Sequence, residues 1–384
     1  MNIDRIDIRE KLAERTLPEG RPAIAWVSRG DVDPSWDRFL QETPLGQFQQ
    51  SAMWARVKAL EGWDALRLMV TLDQRVVAGF QILWRSSWRV RIGYVSKGPV
   101  VMTGFLGLAE FTTELLRRLA WREKLRAIIV QPPDFCRQLP ETLAGQLFQL
   151  NLVRSVNSST WVIDATKGFT EVEQEISKWT RKKIKQSKNR GVTIREGRRE
   201  DVSTFFRLMV STCKRQNTKP VPANLETLLA IWDTLHPEGG IRLTLAESQG
   251  EPLAGLACII FGQTVSFWKK GWTSSDGDKH PNELLMHEML QWVCSHEYHN
   301  CDFCGFDRDM AVAMLNGAPL TADQERSRHV FNVRLGGEPR LLPEAQIYFP
   351  YPVVRLVYGL VFGGRIRRAE KRAQLNNQRS NVKT

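Results

Sequence analysis

The segment Trp179–Arg190 sets Lys182, Lys183, Lys185, Lys188 and Arg190 behind one large aromatic ring. Cations beside a stacking surface suit a nucleic-acid strand, with charge for phosphate and a flat apolar face for a base. The five cannot share one helix face, and lysines at a helix C-terminus also complement its dipole, so part of this charge is plain solvation. Lys97 stands between Ser96 and Gly98 at the end of an apolar strand. A group there can face a cleft and bind a ligand, but Gly98-Pro99 equally fits a structural turn. Cys294, His296, His299, Cys301 and Cys304 include one CxxC of zinc-like spacing. No second CxxC or spaced histidine pair completes such a site, and Cys301 and Cys304 fall in an expected buried strand, so no metal is expected. No motif sets a nucleophile beside His280, His287 or His299, so a Ser-His-Asp or Cys-His arrangement is not indicated.

The elements that must position these residues occur twice. LMVTLDQRVVAGFQILW (Leu68–Trp84) and RLTLAESQGEPLAGLACIIF (Arg242–Phe261) each read as strand, polar turn and second strand, the latter entered through Ala-Gly (Ala78-Gly79; Ala254-Gly255). A third strand follows each (from Arg91 and from Thr264), then an amphipathic helix (Leu108–Lys124; Glu283–His296) and a short strand (from Ala127 and from Cys301). Self-similarity on this scale implies a duplicated α/β unit, and two such units create a cleft between them.

A chain of 384 residues is long enough for more than one core, and 42% apolar with 25% charged residues is ordinary globular composition. The net charge of +12 points to an anionic partner: nucleic acid, phospholipid or a phosphorylated substrate. Six cysteines lack a disulfide-framework spacing and the N-terminus has no apolar h-region, so a cytoplasmic location is expected. The reading divides the chain into an N-terminal helix over 1–20, a first domain over 21–156, a second over 157–338, and a segment over 339–384 that packs toward the first domain and ends basic. One helix is expected over Glu171–Arg190. The apolar run near the C-terminus is about 12 residues and contains Arg355, too short to cross a bilayer, which needs ~20. It fits either a terminal helix packed on a domain, with Arg365, Arg367, Arg368, Lys371 and Arg372 solvated, or an interfacial helix whose basic flank touches anionic lipid.

GQFQQSAMWARVK (Gly46–Lys58), YVSKGPV (Tyr94–Val100), TRKKIKQSKNRGVTI (Thr180–Ile194), MLQWVCSHEYHNCDFCGFD (Met289–Asp307) and HVFNVRLGG (His329–Gly337) together resemble the FemABX family, the aminoacyltransferases that build the peptide bridges of bacterial peptidoglycan. The resemblance covers about Phe39 to Pro343. It implies two tandem GNAT-like (acyl-CoA N-acyltransferase-like) domains in the compact FemX form, because no heptad-rich insertion is present. It also implies aminoacyl-tRNA as co-substrate without a further cofactor, a lipid- or UDP-linked muropeptide as acceptor, and work in the cytoplasm or at the inner membrane face. The alternatives on the same fold are an acyl-CoA-dependent N-acyltransferase on a surface-polymer amine and a non-catalytic precursor- or RNA-binding relative.

Residue by residue, Lys58 matches a family lysine that binds the acceptor's diphosphate, and Lys219 stands where the family has an arginine for the same purpose. A lysine keeps that charge but loses the bidentate fork. Lys97 joins them as a substrate-binding candidate, and Lys182, Lys183 and Lys185 as tRNA-binding candidates. The family's oxyanion lysine directly follows a phenylalanine, whereas here Phe331 precedes Asn332, which can donate a hydrogen bond but brings no charge. If this stretch is a strand, Arg334 shares a face with Asn332 and restores the cation. Lys269, which aligns near a substrate tyrosine, is the other candidate. A second substrate tyrosine aligns near Ala223, and the acceptor-contacting aspartate near Pro132.

Overall fold

The computed structural model describes residues 9–361 apart from 88–89, 135, 137, 152–156 and 275–276. Two compact units share the chain: Asn157–Leu342 forms one, and the described residues before and after it form the other.

The first unit runs β1 (Arg9–Thr16), β2 (Pro22–Ser28), α1 (Pro34–Glu42), α2 (Ala52–Ala59), β3 (Asp64–Leu72), β4 (Arg75–Ser87), β5 (Val90–Ser96), β6 (Val100–Val101), α3 (Leu108–Arg122), β7 (Ala127–Gln131), α4 (Leu139–Gly145) and β8 (Gln149–Leu150). The second runs β9 (Ser159–Asp164), α5 (Phe169–Glu175), α6 (Lys178–Asn189), β10 (Val192–Glu196), α7 (Val202–Arg215), α8 (Leu225–Leu235), β11 (Ile241–Ser248), β12 (Glu251–Phe261), β13 (Thr264–Trp272), α9 (Pro281–Ser295), β14 (Asn300–Asp302), α10 (Arg308–Leu315), α11 (Ala322–Glu325), α12 (Val330–Val333) and β15 (Glu338–Leu341). The chain then adds β16 (Gln346–Tyr348) and a helix over 352–361, α13, to the first unit.

The sheets have one plan. The first is ordered β1-β2-β3-β4-β5-β7-β16-β8, with β6 on β4, and the second β10-β11-β12-β13-β14-β9-β15. The place between the fifth and last of the shared strands is filled out of chain order in both: by β16, from beyond the second unit, and by β9, from ahead of its own unit's other strands. The central hairpins agree to the residue. Val70 faces Ala78 and Ala246 faces Ala254, and in each the register slips by one just before the turn. Asp73-Gln74 and Gln249-Gly250 turn the chain with positive φ at both positions, the two-residue geometry that matches strand twist. Each Ala-Gly glycine exists to admit a helix. A Cβ on Gly79 would meet the Leu68 carbonyl oxygen at 2.2 Å and Trp36 of α1 at 2.7 Å, and one on Gly255 would meet Phe205 of α7 at 2.8 Å. Shared register, turn and glycine contact argue for a duplicated mixed α/β unit.

Four sequence expectations are corrected. Residues 9–16 form β1, not a helix: REKLAERT holds good helix formers, but pairing from Arg9↔Ser28 to Thr16↔Pro22 overrides local propensity. Residues 1–8 lie outside the described ones. Glu171–Arg190 is two helices, because Ile176 turns extended and the Ser177 hydroxyl accepts from Thr180 N–H to start α6 afresh. The second unit runs past 338, since Glu338–Leu341 pairs with Val162–Ser159. The strand expected to hold both cysteines ends at Asp302, so Cys304 lies beyond it with φ +57.

Candidate functional site

In the first unit the polar residues converge at the carboxyl ends of two neighbouring parallel strands. Ile92–Ser96 of β5 pairs with Ala127–Gln131 of β7. Lys97 follows the first of these and Asp134 lies just past the second. Such strand ends are where open α/β sheets place ligands. The Lys97 ammonium is ion-paired to the Asp134 carboxylate, both side chains buried, and Gln47 Nε2 donates to the same carboxylate at 2.6 Å.

The segment GQFQQSAMWARVK builds the support. Gln50 Oε1 accepts from Gln81 N–H at 2.6 Å while its Nε2 donates to the Ser96 carbonyl at 2.7 Å, tying β4 to the end of β5. A Cβ on Gly98 would strike that same Gln50 side chain at 2.7 Å, so the two sequence motifs meet here. Behind them the fully buried Arg67 donates to Gln81 Oε1 at 3.1 Å and faces Asp33 at 3.7 Å. Ser51 caps α2, and Phe48 meets the Trp54 ring edge-on at 4.9 Å. Lys58, one turn on, lies 5.3 Å from the Trp54 ring and is paired to Glu61 at 2.7 Å.

In the second unit the corresponding strands diverge. β13 pairs with β14 only over Thr264–Ser266 and then continues to Trp272 paired with β12 alone. A bulge at Trp268 lets Ala257 face Lys269 and Leu256 face Lys270. Gly255 and Gly271, paired, pack on α7, whereas Leu256 lies in the core with residues of α9. Lys269 therefore lies on the α7 face and Lys270 on the α9 face. Lys270 Nζ sits 4.0 Å from the centroid of Phe331, with Glu283 and Arg328 as its charged neighbours. Burial lowers its pKa to about 8, Arg328 adds to that, and Glu283 opposes it. The residue is nonetheless exposed. Protein thus crowds its ammonium, against Phe331, while the residue as a whole still reaches solvent.

Asn332 and Arg334 do not share a strand face. Asn332 is on the one-turn helix α12 and Arg334 caps it, and positions two apart on a helix do not face alike. The Arg334 guanidinium lies 4.5 Å from the centroid of the half-exposed Trp179, and Lys183 lies 5.4 Å from the same ring. Along α6 the buried residues are Thr180, Ile184 and Ser187; Lys188 pairs with Glu288 at 2.9 Å and Arg190 with Asp278 at 3.5 Å. Lys182 and Lys185 are exposed, and no partner for either is found among the described residues. Lys219 is exposed on the loop between α7 and α8, and Lys269 lies 5.3 Å from the Trp268 ring. A surface cavity of about 510 Å³ elsewhere in this unit holds the Arg199–Asp233 ion pair and none of these residues.

Among the described residues no three His, Cys, Asp or Glu side chains gather as metal ligands. Cys301 is buried and its thiol is held well above the usual range by burial, as is that of Cys304. His287, buried, has Glu173 at 2.9 Å and Glu288 at 3.3 Å on its two ring nitrogens.

A FemAB family model matches residues 33–149, and an acetyltransferase (GNAT) domain model matches residues 175–310. The lipid II:glycine glycyltransferase of Staphylococcus saprophyticus is 25% identical over 234 residues, which is 58% of this chain and 56% of that protein. That of Staphylococcus aureus is 25% identical over 223 residues, 55% and 52% respectively. The crystal structure of FemX superposes with a TM-score of 0.71 at 19% identity, over 85% of this chain and 98% of that one. The chain is similar to members of the FemABX family. It spans about half the length of the curated relatives it matches. A likeness of fold alone extends to the C-terminal domain of a putative lysylphosphatidylglycerol synthetase from Agrobacterium fabrum, with a TM-score of 0.50 at 9% identity over 82% of this chain and 92% of that one.

Two features of the chain escape the sequence. Asp134, two residues past Pro132 where the family's aspartate aligns, is ion-paired to Lys97. The cation beside Phe331 comes from Lys270 on a different element rather than from the next residue in the chain. The doublet Lys269-Lys270 was the available signal, but the bulge decides which of the two faces Phe331.

Proposed function

We propose that this protein is an aminoacyltransferase that moves an amino acid from aminoacyl-tRNA to an amine of a peptidoglycan precursor, working in the cytoplasm at the inner membrane face when that acceptor is lipid-linked. The observation that carries the reading is the Lys270 ammonium on the ring of Phe331, where the family resemblance calls for a lysine. A neutral acceptor amine forms a C–N bond at the ester carbonyl, whose oxygen gathers negative charge. Collapse breaks the ester C–O bond and leaves a hydroxyl on the terminal ribose, with the amine proton balancing the leaving oxygen. Nothing in this sequence needs a covalent enzyme intermediate; it needs positioning and a cation at the developing oxyanion. We assign that cation to Lys270 in place of Arg334, whose guanidinium stacks on Trp179, and of Lys269, which faces the other side of the sheet. Lys58 serves the anionic acceptor, Lys219 adds charge from its loop, and Lys182, Lys183 and Lys185 serve the RNA, whereas Lys97, first a substrate-binding candidate, is taken up by Asp134 and holds the strand ends together.

The acetyltransferase (GNAT) match supports a second reading, acyl transfer from acyl-CoA. A pyrophosphate would need free N–H groups at a helix start. α9 opens with Pro281, which takes one N–H away from its first turn, and the Leu106 N–H just ahead of α3 already donates to the Glu19 carboxylate at 2.7 Å. These contacts favour the aminoacyl donor. The test offers charged tRNAs and labelled acyl-CoA in parallel to the pure protein, with lipid-linked precursor as acceptor. Label arriving only from aminoacyl-tRNA is the expected result. Label from acyl-CoA alone establishes the second reading, and transfer from neither donor makes the protein a binding relative.

A further inference from the structure

Helical residues 352–361 present one face to solvent and one to the first unit. Tyr358 and Val354 turn inward, Tyr358 meeting Phe349 at 4.8 Å and donating to the Leu150 carbonyl at 3.4 Å. Outward, Val353, Leu356, Val357, Leu360 and Val361 are between 54% and 78% exposed. Their spacing of 0, 3, 4, 7 and 8 is one continuous stripe of an α-helix, so the anchored helix displays an unbroken apolar face. Soluble surfaces scatter such residues singly, and a contiguous stripe marks an interaction site. At the head of the helix Tyr351 meets Trp121 at 5.2 Å, and that tryptophan is itself 60% exposed. The Arg126 guanidinium lies 4.6 Å from the Tyr351 ring. Beside β8 the helix borders a groove of about 530 Å³ in which Arg355 sits among Val353, Leu356 and Leu360.

We propose that this face seats the protein on an anionic lipid surface. The choice of occupant rests on charge. Within the eight residues from 365 to 372 the chain carries Arg365, Arg367, Arg368, Lys371 and Arg372 against Glu370 alone. An apolar stripe with an indole at its edge, followed in the sequence by these cations, complements the headgroup region of an anionic leaflet on both counts. The segment lies on the membrane and does not span it: no described helix is long and apolar enough to cross.

The test is flotation of the full chain with phosphatidylglycerol–phosphatidylcholine vesicles containing neither precursor nor RNA. The protein should float with them, at least ~10-fold less with phosphatidylcholine alone, and less again at about 0.5 M salt. Replacing Leu356 and Leu360 by Glu should weaken flotation by at least ~10-fold without shifting thermal unfolding, since both side chains are exposed. Arg365→Gln, Arg367→Gln and Arg368→Gln together should remove the preference for the anionic vesicles. Wild-type protein that stays in solution, or an L356E/L360E variant that floats like wild type, overturns the assignment. So does a dimer in sedimentation equilibrium that L356E/L360E dissolves, because a second copy would then cover the face. Vesicles without precursor keep the outcome separate from the transferase reading: intact flotation with absent transfer counts against the active site alone.

Discussion

The two units share a central hairpin down to its bulge and its Ala-Gly, yet differ at the next pair of strands. In the first unit β5 and β7 stay paired for five residues, and their ends are closed by the buried Lys97–Asp134 pair. In the second, β13 leaves β14 after three and carries an exposed lysine onto an aromatic ring. The same frame thus holds one cation that is fully neutralised inside the fold and one that keeps its charge available. A paired, buried charge organises structure; a half-desolvated one can act on a substrate.

Breaking each cation should separate these roles. Lys97→Ala leaves Asp134 buried with no ammonium opposite, and should destabilise the first unit by about 3–5 kcal/mol, read from its chemical denaturation. Removing both charges with Lys97→Met and Asp134→Asn should recover most of that loss; a double variant as unstable as the single one would show that the pair is not what matters. Lys270→Ala should leave denaturation midpoints almost unmoved, because the residue is exposed. Its effect should appear in turnover, as a fall of ~10²–10³ with little change in substrate affinity, the pattern of a charge used only in the transition state.

The smaller test concerns the shared hairpin. Alanine at Gly79 meets a backbone carbonyl at 2.2 Å, which cannot move, whereas at Gly255 it meets only the side chains of Phe205 and Leu245, at 2.8 and 2.9 Å. Gly79→Ala should therefore cost about 2–3 kcal/mol and Gly255→Ala about 1 kcal/mol, each measured by denaturation. Equal costs would mean that the Leu68 carbonyl contact at Gly79 does not set the difference between the two sites.

The duplicated hairpins were legible because alternation, a two-residue turn and Ala-Gly are all local signals. β1 was not, since helix-forming residues are drawn into a strand by a partner far along the sheet. The return of the chain toward the first unit was expected, but not the strand it forms there: three residues, Gln346–Tyr348, carry no pattern, and their place is set by Ile128–Val130. Lys97 and Lys58 were named from their motifs, but not Gln47 and Asp134, which make the first a buried network. The cation beside Phe331 was sought on the same short stretch as a strand. That stretch is helical, and the one-residue bulge at Trp268, invisible in sequence, turns Lys270 toward the ring instead of Lys269.

The most direct test of the claim that Lys270 is the working cation is the pH dependence of transfer by wild type relative to Lys270→Arg. Burial brings Lys270 to a pKa of about 8, below the usual lysine range, so its charge is present below that pH and lost as pH rises through it. An arginine stays charged throughout, and taking the ratio of the two rates cancels the titration of the attacking amine and the alkaline loss of the ester. The ratio of wild-type to Lys270→Arg turnover should be flat at neutral pH and fall about tenfold for each pH unit above 8. A ratio that stays flat to pH 9.5, or that rises through pH 8, would contradict the assignment and place the oxyanion's partner elsewhere.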